Sequence, residues 1–74
     1  MNIEFRHLRH ALALVEHGNF ARAAEALHLS QPALTRSLQA LEAQVGEQLF
    51  DRSHREMTPT TMGELLLQHA RQLL

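Results

Sequence analysis

SQPALTRSLQALEAQVG, residues 30–46, decides the fold. Wound at about 100° per residue, it is a helix with two unlike sides. Leu34, Leu38, Leu41 and Val45 stack along one side as a core stripe. Pro32, Arg36, Gln39 and Ala43 occupy the other, flanked by Thr35 and Ala40. Ser30 is a natural N-cap, Pro32 suits a first turn whose N–H groups have no helical partner, and Gly46 suits the C-terminal stop. The outer side is unusual. It carries one cation, one long amide, a hydroxyl and several small side chains, where a merely solvated helix carries a mat of Lys and Glu.

Upstream, the apolar period gives a first helix over about 4–17, with Phe5, Leu8, Ala11, Leu12 and Val15 on one face and Gly18 ending it. Asn19 then caps a short second helix over 20–27, whose inward side is Phe20, Ala23, Ala24 and Leu27. The turn His28-Leu29-Ser30 leads into the third helix. Two short helices joined by a tight turn, the second with an exposed mixed face, form the helix-turn-helix pattern. Downstream, Leu49-Phe50 and Met57 anchor a polar segment that fits no helical stripe, so a short two-stranded ribbon turning near Ser53-His54 is expected. Thr61 and Glu64 match a capping box, which starts a last helix near Met62. On it Met62, Leu66, His69, Ala70 and Leu73 form one stripe, while Leu67 and Leu74 lie on the far side. Two apolar sides on a terminal helix imply that one packs on its own domain and the other on a partner chain.

The chain has 74 residues, a formal charge of −1 and 45% apolar residues, enough for one small core. There is no Cys, hence no disulfide framework and no thiolate metal site, and no apolar run of membrane-spanning length. The expected setting is the cytoplasm. A near-neutral sum excludes a simple polycation, so the placement of charge matters more than its total. All seven cations are Arg, the side chain suited to planar contacts with phosphate or guanine.

The run NFARAAEALHLSQPALTRSLQALEAQVGEQLFDR (19–52), followed by R-x-M-T-P-T-x-x-G-x-x-L-L-x-x-A (55–70), closely resembles the N-terminal winged helix-turn-helix domain of LysR-type transcriptional regulators. The resemblance covers nearly the whole chain. It implies a mainly α fold of three helices and a short two-stranded β-wing over residues 1–60, followed by a linker helix that begins at 61–74. It further implies that helix 3 enters the major groove of double-stranded operator DNA, that the wing (about 49–58) approaches the minor groove, and that the linker helix pairs two subunits. A larger effector-binding domain would follow, and any small-molecule effector would bind there. The family commonly has Gly near the wing turn, where this chain has His54 and Glu56, and often Leu where it has Pro59.

The outer face then acquires a chemistry. Helix N-termini offer free N–H groups and partial positive charge to phosphate, and Ser30, Gln31 and Thr35 add neutral donors there. Arg36 can reach guanine O6/N7 and Gln39 adenine N6/N7, while Pro32 offers an apolar plate to a thymine methyl. Ala33, Ala40 and Ala43 keep the surface low. Arg52, His54 and Arg55 at the wing, and Asn19 and Arg22 at the start of helix 2, are expected at phosphates or a narrow groove. Met62, Leu66, Leu67, Ala70, Leu73 and Leu74 are expected to serve dimerisation.

His7, His10 and His17 fall on the polar side of helix 1, but neither a Cys nor a neighbouring carboxylate completes a tetrahedral metal set, so no cofactor or metal is expected. No phosphate-cradling Gly loop, nucleophile–base pair or carboxylate pair points to an enzyme. A second function class fits the same residues: a winged helix that docks a protein through helix 3 and its Leu-rich last helix. Arg placement separates the two, since loss of Arg36 or Arg52 would weaken duplex binding only in the first.

Overall fold

The structure, a computed structural model, describes residues 4–51 and 57–73. Its elements are α1 (Phe5–His17), α2 (Phe20–Leu27), α3 (Gln31–Val45), β1 (Phe50–Asp51), β2 (Thr58–Pro59) and α4 (Thr61–Leu73). The three-helix, two-strand and last-helix order is the one expected. The ribbon turn at Ser53-His54, with Arg52, Arg55 and Glu56, lies outside the described residues, as does Leu74.

Local chemistry sets each boundary. Gly18 and Gly46 adopt left-handed conformations, at φ 83° and 85°, and their N–H groups close α1 and α3 on Leu14 O and Glu42 O. Asn19 Oδ1 accepts from Arg22 N at 2.8 Å, and Ser30 Oγ accepts from Ala33 N at 3.2 Å, so both expected caps form. The turn between α2 and α3 is closed by a residue that composition gives no reason to suspect. His28 sits at φ 57°, ψ 40°; its N–H donates to Glu25 O and that of Leu29 to Ala24 O. These are the paired bonds of a Schellman stop, built on a non-glycine residue.

The core is a single cluster. Leu34, Leu38 and Leu41 of α3 are fully buried against Leu14 of α1, Ala23 and Ala24 of α2, Leu49 and Phe50, and Leu67 and Ala70 of α4. The adjacent alanines let α2 lie close to its neighbours. Val45, expected in the stripe, packs at the margin.

On α1 the inward face differs from the expected one. It is His7, Leu8, Ala11 and Leu14, with Leu12 and Val15 partly buried, and Phe5 is 54% exposed. The helix packs on α2, α3 and α4 together, so its buried arc is wider than one stripe and is turned toward Leu14. The same rotation takes His7, and in part His10, off the expected polar side.

The start of α4 is also shifted. Thr60, not Thr61, provides the cap: its Oγ1 accepts from Gly63 N at 3.1 Å and donates to Gln48 O at 2.8 Å. Thr60 N donates to Leu49 O at 2.9 Å. One residue therefore ties α4 to the segment entering β1. β1 and β2 pair antiparallel, Phe50 opposite Pro59 and Asp51 opposite Thr58. Glu42 Oε2 accepts from Leu49 N at 2.7 Å and Phe50 N at 3.4 Å, fixing the base of the ribbon to α3.

Gly63 is buried where α4 meets Leu49, and a Cβ there would overlap the Leu49 carbonyl. Backbone cannot swing aside as a side chain can. Gly63→Ala is expected to destabilise the domain by about 1–3 kcal/mol, against the ~1 kcal/mol that Ala ordinarily gains in a helix. Equilibrium urea unfolding measures it, and an unchanged or raised midpoint would show that α4 is free to move off Leu49.

Candidate nucleic-acid interface

Burial of the leucine stripe determines what α3 shows to solvent. Ser30, Gln31, Pro32, Arg36, Gln39 and Ala43 are exposed, and Thr35 and Ala40 are half-buried at the two edges. The face read from the periodicity is thus assembled on the surface. No carboxylate is paired with Arg36 among the described residues. Asn19 and Arg22 are exposed at the start of α2; the Asn19 amide oxygen is engaged in capping, which leaves its amide nitrogen as the donor. The wing residues Arg52, His54 and Arg55 lie outside the described residues.

The dimerisation set divides. Leu67 and Ala70 are not on an outer face: they are 3% and 1% exposed and belong to the domain's own core, together with Gly63. Positions 63, 67 and 70 recur at the helical period, so they share the side of α4 that faces the core. Met62 and Leu66 are partly buried at the margin, and Leu73 is 64% exposed. Leu65, 49% exposed, was missed. It shares the outer side with Met62, Leu66, His69 and Leu73, and only the setting of α4 on the core distinguishes that side from the other.

A feature absent from the sequence-based expectations lies beside α3. Arg6, His7 and His10 of α1 and Ala33, Arg36 and Ser37 of α3, with Leu29, line a cleft of about 310 Å³. Ser37 is buried. Its Oγ lies 2.6 Å from His10 Nδ1, bridging the two helices. A hydroxyl both donates and accepts, so this contact suits either protonation state of the imidazole. His7 is 8% exposed; its Nε2 lies 3.5 Å from Glu4 Oε2, and its Nδ1 has no hydrogen-bond partner among the described residues. Glu4 Oε2 also accepts from Arg6 Nε at 2.8 Å. Burial, and then the nearby His7 and Arg6, hold the His10 pKa below its ordinary value.

This depression has a sign. The folded chain binds fewer protons at His10 than the unfolded chain does in the window below about pH 6.5. Stability is therefore expected to fall as pH drops from about 6.5 through the lower folded-state value, with no contribution from this group well above 6.5. Thermal unfolding of the chain and of His10→Gln, compared at successive pH values, measures it. An equal acid-side loss in both proteins would remove His10 as a cause.

The model of bacterial regulatory helix-turn-helix proteins of the lysR family matches residues 5–64. The SDS degradation transcriptional activation protein of Pseudomonas sp. (strain ATCC 19151) is 59% identical over 71 residues, which cover 96% of this chain and 23% of that protein. The crystal structure of the BenM DBD/catB site 1 DNA complex superposes with a TM-score of 0.92 at 41% identity, covering 96% of this chain and 76% of that one. That of the CbnR DBD–DNA complex gives 0.90 at 48% identity, covering 96% and 82%. The chain spans about a quarter of the length of the curated relatives it matches.

Proposed function

The chain belongs to the lysR family of bacterial regulatory helix-turn-helix proteins, and from that premise we propose that it reads operator DNA as one half of a homodimer within a cytoplasmic transcription regulator. The observation that carries this reading is the outer face of α3. Its leucines are fully buried, and the exposed residues are Pro32, Arg36, Gln39 and Ala43. A low surface with one guanidinium and one amide lets a helix backbone sit deep in a major groove and leaves two long side chains to reach base edges. The BenM and CbnR DNA-binding domains are solved on DNA, which supports the same use here.

Residues take distinct parts. Ser30, Gln31 and Thr35 meet phosphate at the start of α3, beside its free N–H groups. Arg36 reads guanine and Gln39 adenine. Asn19 and Arg22 hold a phosphate from the start of α2, and Arg52, His54 and Arg55 reach the backbone or minor groove from the wing. Residues 1–60 make up the reading unit and α4 begins the linker. Its outer side, Met62, Leu65, Leu66 and Leu73, meets the partner subunit, with Leu74 next in the chain. A two-fold pair would read an interrupted inverted repeat. Effector control belongs to the rest of a longer protein, and no catalytic step is assigned to this domain.

Selection of this chain on a random pool of duplexes at two salt concentrations tests the reading. Enrichment of a two-fold symmetric motif, with affinity falling steeply with salt, is expected. A folded chain that binds no duplex at low salt would overturn it in favour of a protein-docking winged helix. Arg36→Ala should lower affinity for the enriched motif by about 1–3 kcal/mol and relax the preference for one base pair, with thermal unfolding unchanged. Leu73→Glu should shift the chain toward monomer in sedimentation and weaken operator binding by removing the effective concentration of the second reader. A monomeric variant that binds as tightly as the parent would sink the requirement for a dimer.

A further inference from the structure

The cleft between α1 and α3 has a use that the base-reading face does not explain. When a helix lies in a major groove, the two phosphate backbones run along its flanks. Ala33 and Ser37 occupy one flank of α3, between its buried stripe and its exposed face, and Arg36 borders them on the exposed side. There the surface recedes into the cleft, whose far wall is Arg6, His7 and His10. Two guanidinium groups, two imidazoles and a hydroxyl line it, and no carboxylate does. Glu4 pairs with Arg6 Nε and approaches His7, from outside the lining. The lining is largely apolar, with Leu29 and Ala33 in it, but its ionisable groups are all basic and it opens to solvent beside α3, which fits a phosphate oxyanion.

Resting on the DNA-reading function above, we propose that this cleft receives one backbone phosphodiester of the bound duplex and that His10 takes up a proton from solvent as it does so. The Ser37 hydroxyl makes the change possible without breaking the bridge between helices. It can donate to an unprotonated Nδ1 of the neutral ring and accept from Nδ1–H of the imidazolium. In the free chain, burial and the adjacent His7 and Arg6 oppose charge on His10. On α3 the charged group lining the cleft is Arg36. A phosphodiester reverses the balance by placing an anion among these groups. The domain thereby gains a conditional cation at the interface while its net charge stays near zero, and its affinity for DNA rises as pH falls.

The test uses this chain and a random-sequence duplex at low, constant chloride concentration, because a phosphate contact needs no particular base sequence. The His10 imidazole, followed by NMR, is expected to titrate at higher pH in the complex than in the free chain. Between those two values affinity should rise as pH falls, by at most about tenfold per pH unit, the limit for one proton. His10→Gln, which keeps a polar partner for Ser37 but cannot titrate, should lose that part of the slope. Titration of His10 at the same pH with and without duplex would overturn the inference, as would an unchanged slope in His10→Gln. A third arm adds inorganic phosphate alone. If it raises the His10 titration while duplex does not, the cleft is a free-anion site and the duplex is not its ligand. Tight duplex binding with no proton uptake would end this inference and leave the DNA-reading function standing, whereas a folded chain that binds no duplex would end both.

Discussion

Burial of Leu34, Leu38 and Leu41 fixes the rotation of α3, and everything the domain presents follows from that setting. The three side chains occupy one side of the helix and reach α1, α2, the base of the ribbon and α4 through a common cluster. Turning the helix to bring Arg36 inward would place a guanidinium in the core and leucines in water, a combined cost of several kcal/mol. The outer face is therefore rigidly oriented although no cross-link holds it. The same rotation places Ser37 against His10, so the exposed face of α3 and the cleft beside it have one origin.

The ribbon and α4 depend on a second, smaller constraint. Leu49 presents its N–H to Glu42, its carbonyl to Thr60 N, and its side chain to the core. Gly63 lets α4 approach that carbonyl, and Thr60 closes the junction by bonding both Gln48 and Gly63. Two strands of two residues each could not hold a wing in place by their own pairing. These contacts transfer the orientation of α3 to the wing base and to α4. Under the proposed function two readers sit at a fixed spacing on one duplex, and such a junction would limit error in the angle of α4, which is amplified at the distant half-site.

A formal charge of −1 is an unusual balance for a surface that approaches DNA. Under the proposed function, few phosphate contacts per subunit would make each reader weak alone, and pairing would convert weak contacts into useful affinity while leaving binding reversible. Exposed Leu65 and Leu73 on α4 are consistent with that economy. The proposed proton uptake at His10 would serve it too, since a neutral imidazole contributes nothing to non-specific attraction until an anion stabilises its charged form.

The order of elements, the caps Asn19 and Ser30, the stops at Gly18 and Gly46 and the two sides of α3 were legible because each depends on residues a few positions apart. Backbone N–H groups at a helix end take the nearest oxygen, and a helical stripe repeats within one turn, so local order suffices. Long-range placement was not legible. Nothing in the period of α4 says which of two apolar sides meets the core, and the choice of Gly63, Leu67 and Ala70 was made by the close approach to Leu49 and by α1. Phe5 is exposed and His7 buried because α1 contacts three helices at once, which no single amphipathic stripe describes. His10 and Ser37 are 27 residues apart and carry no common motif. The sequence by itself determined where the helices lie and what α3 shows to solvent; the tertiary structure alone decided which faces meet, and so created the cleft, since side-chain chemistry is written locally and proximity between distant residues is settled only by packing.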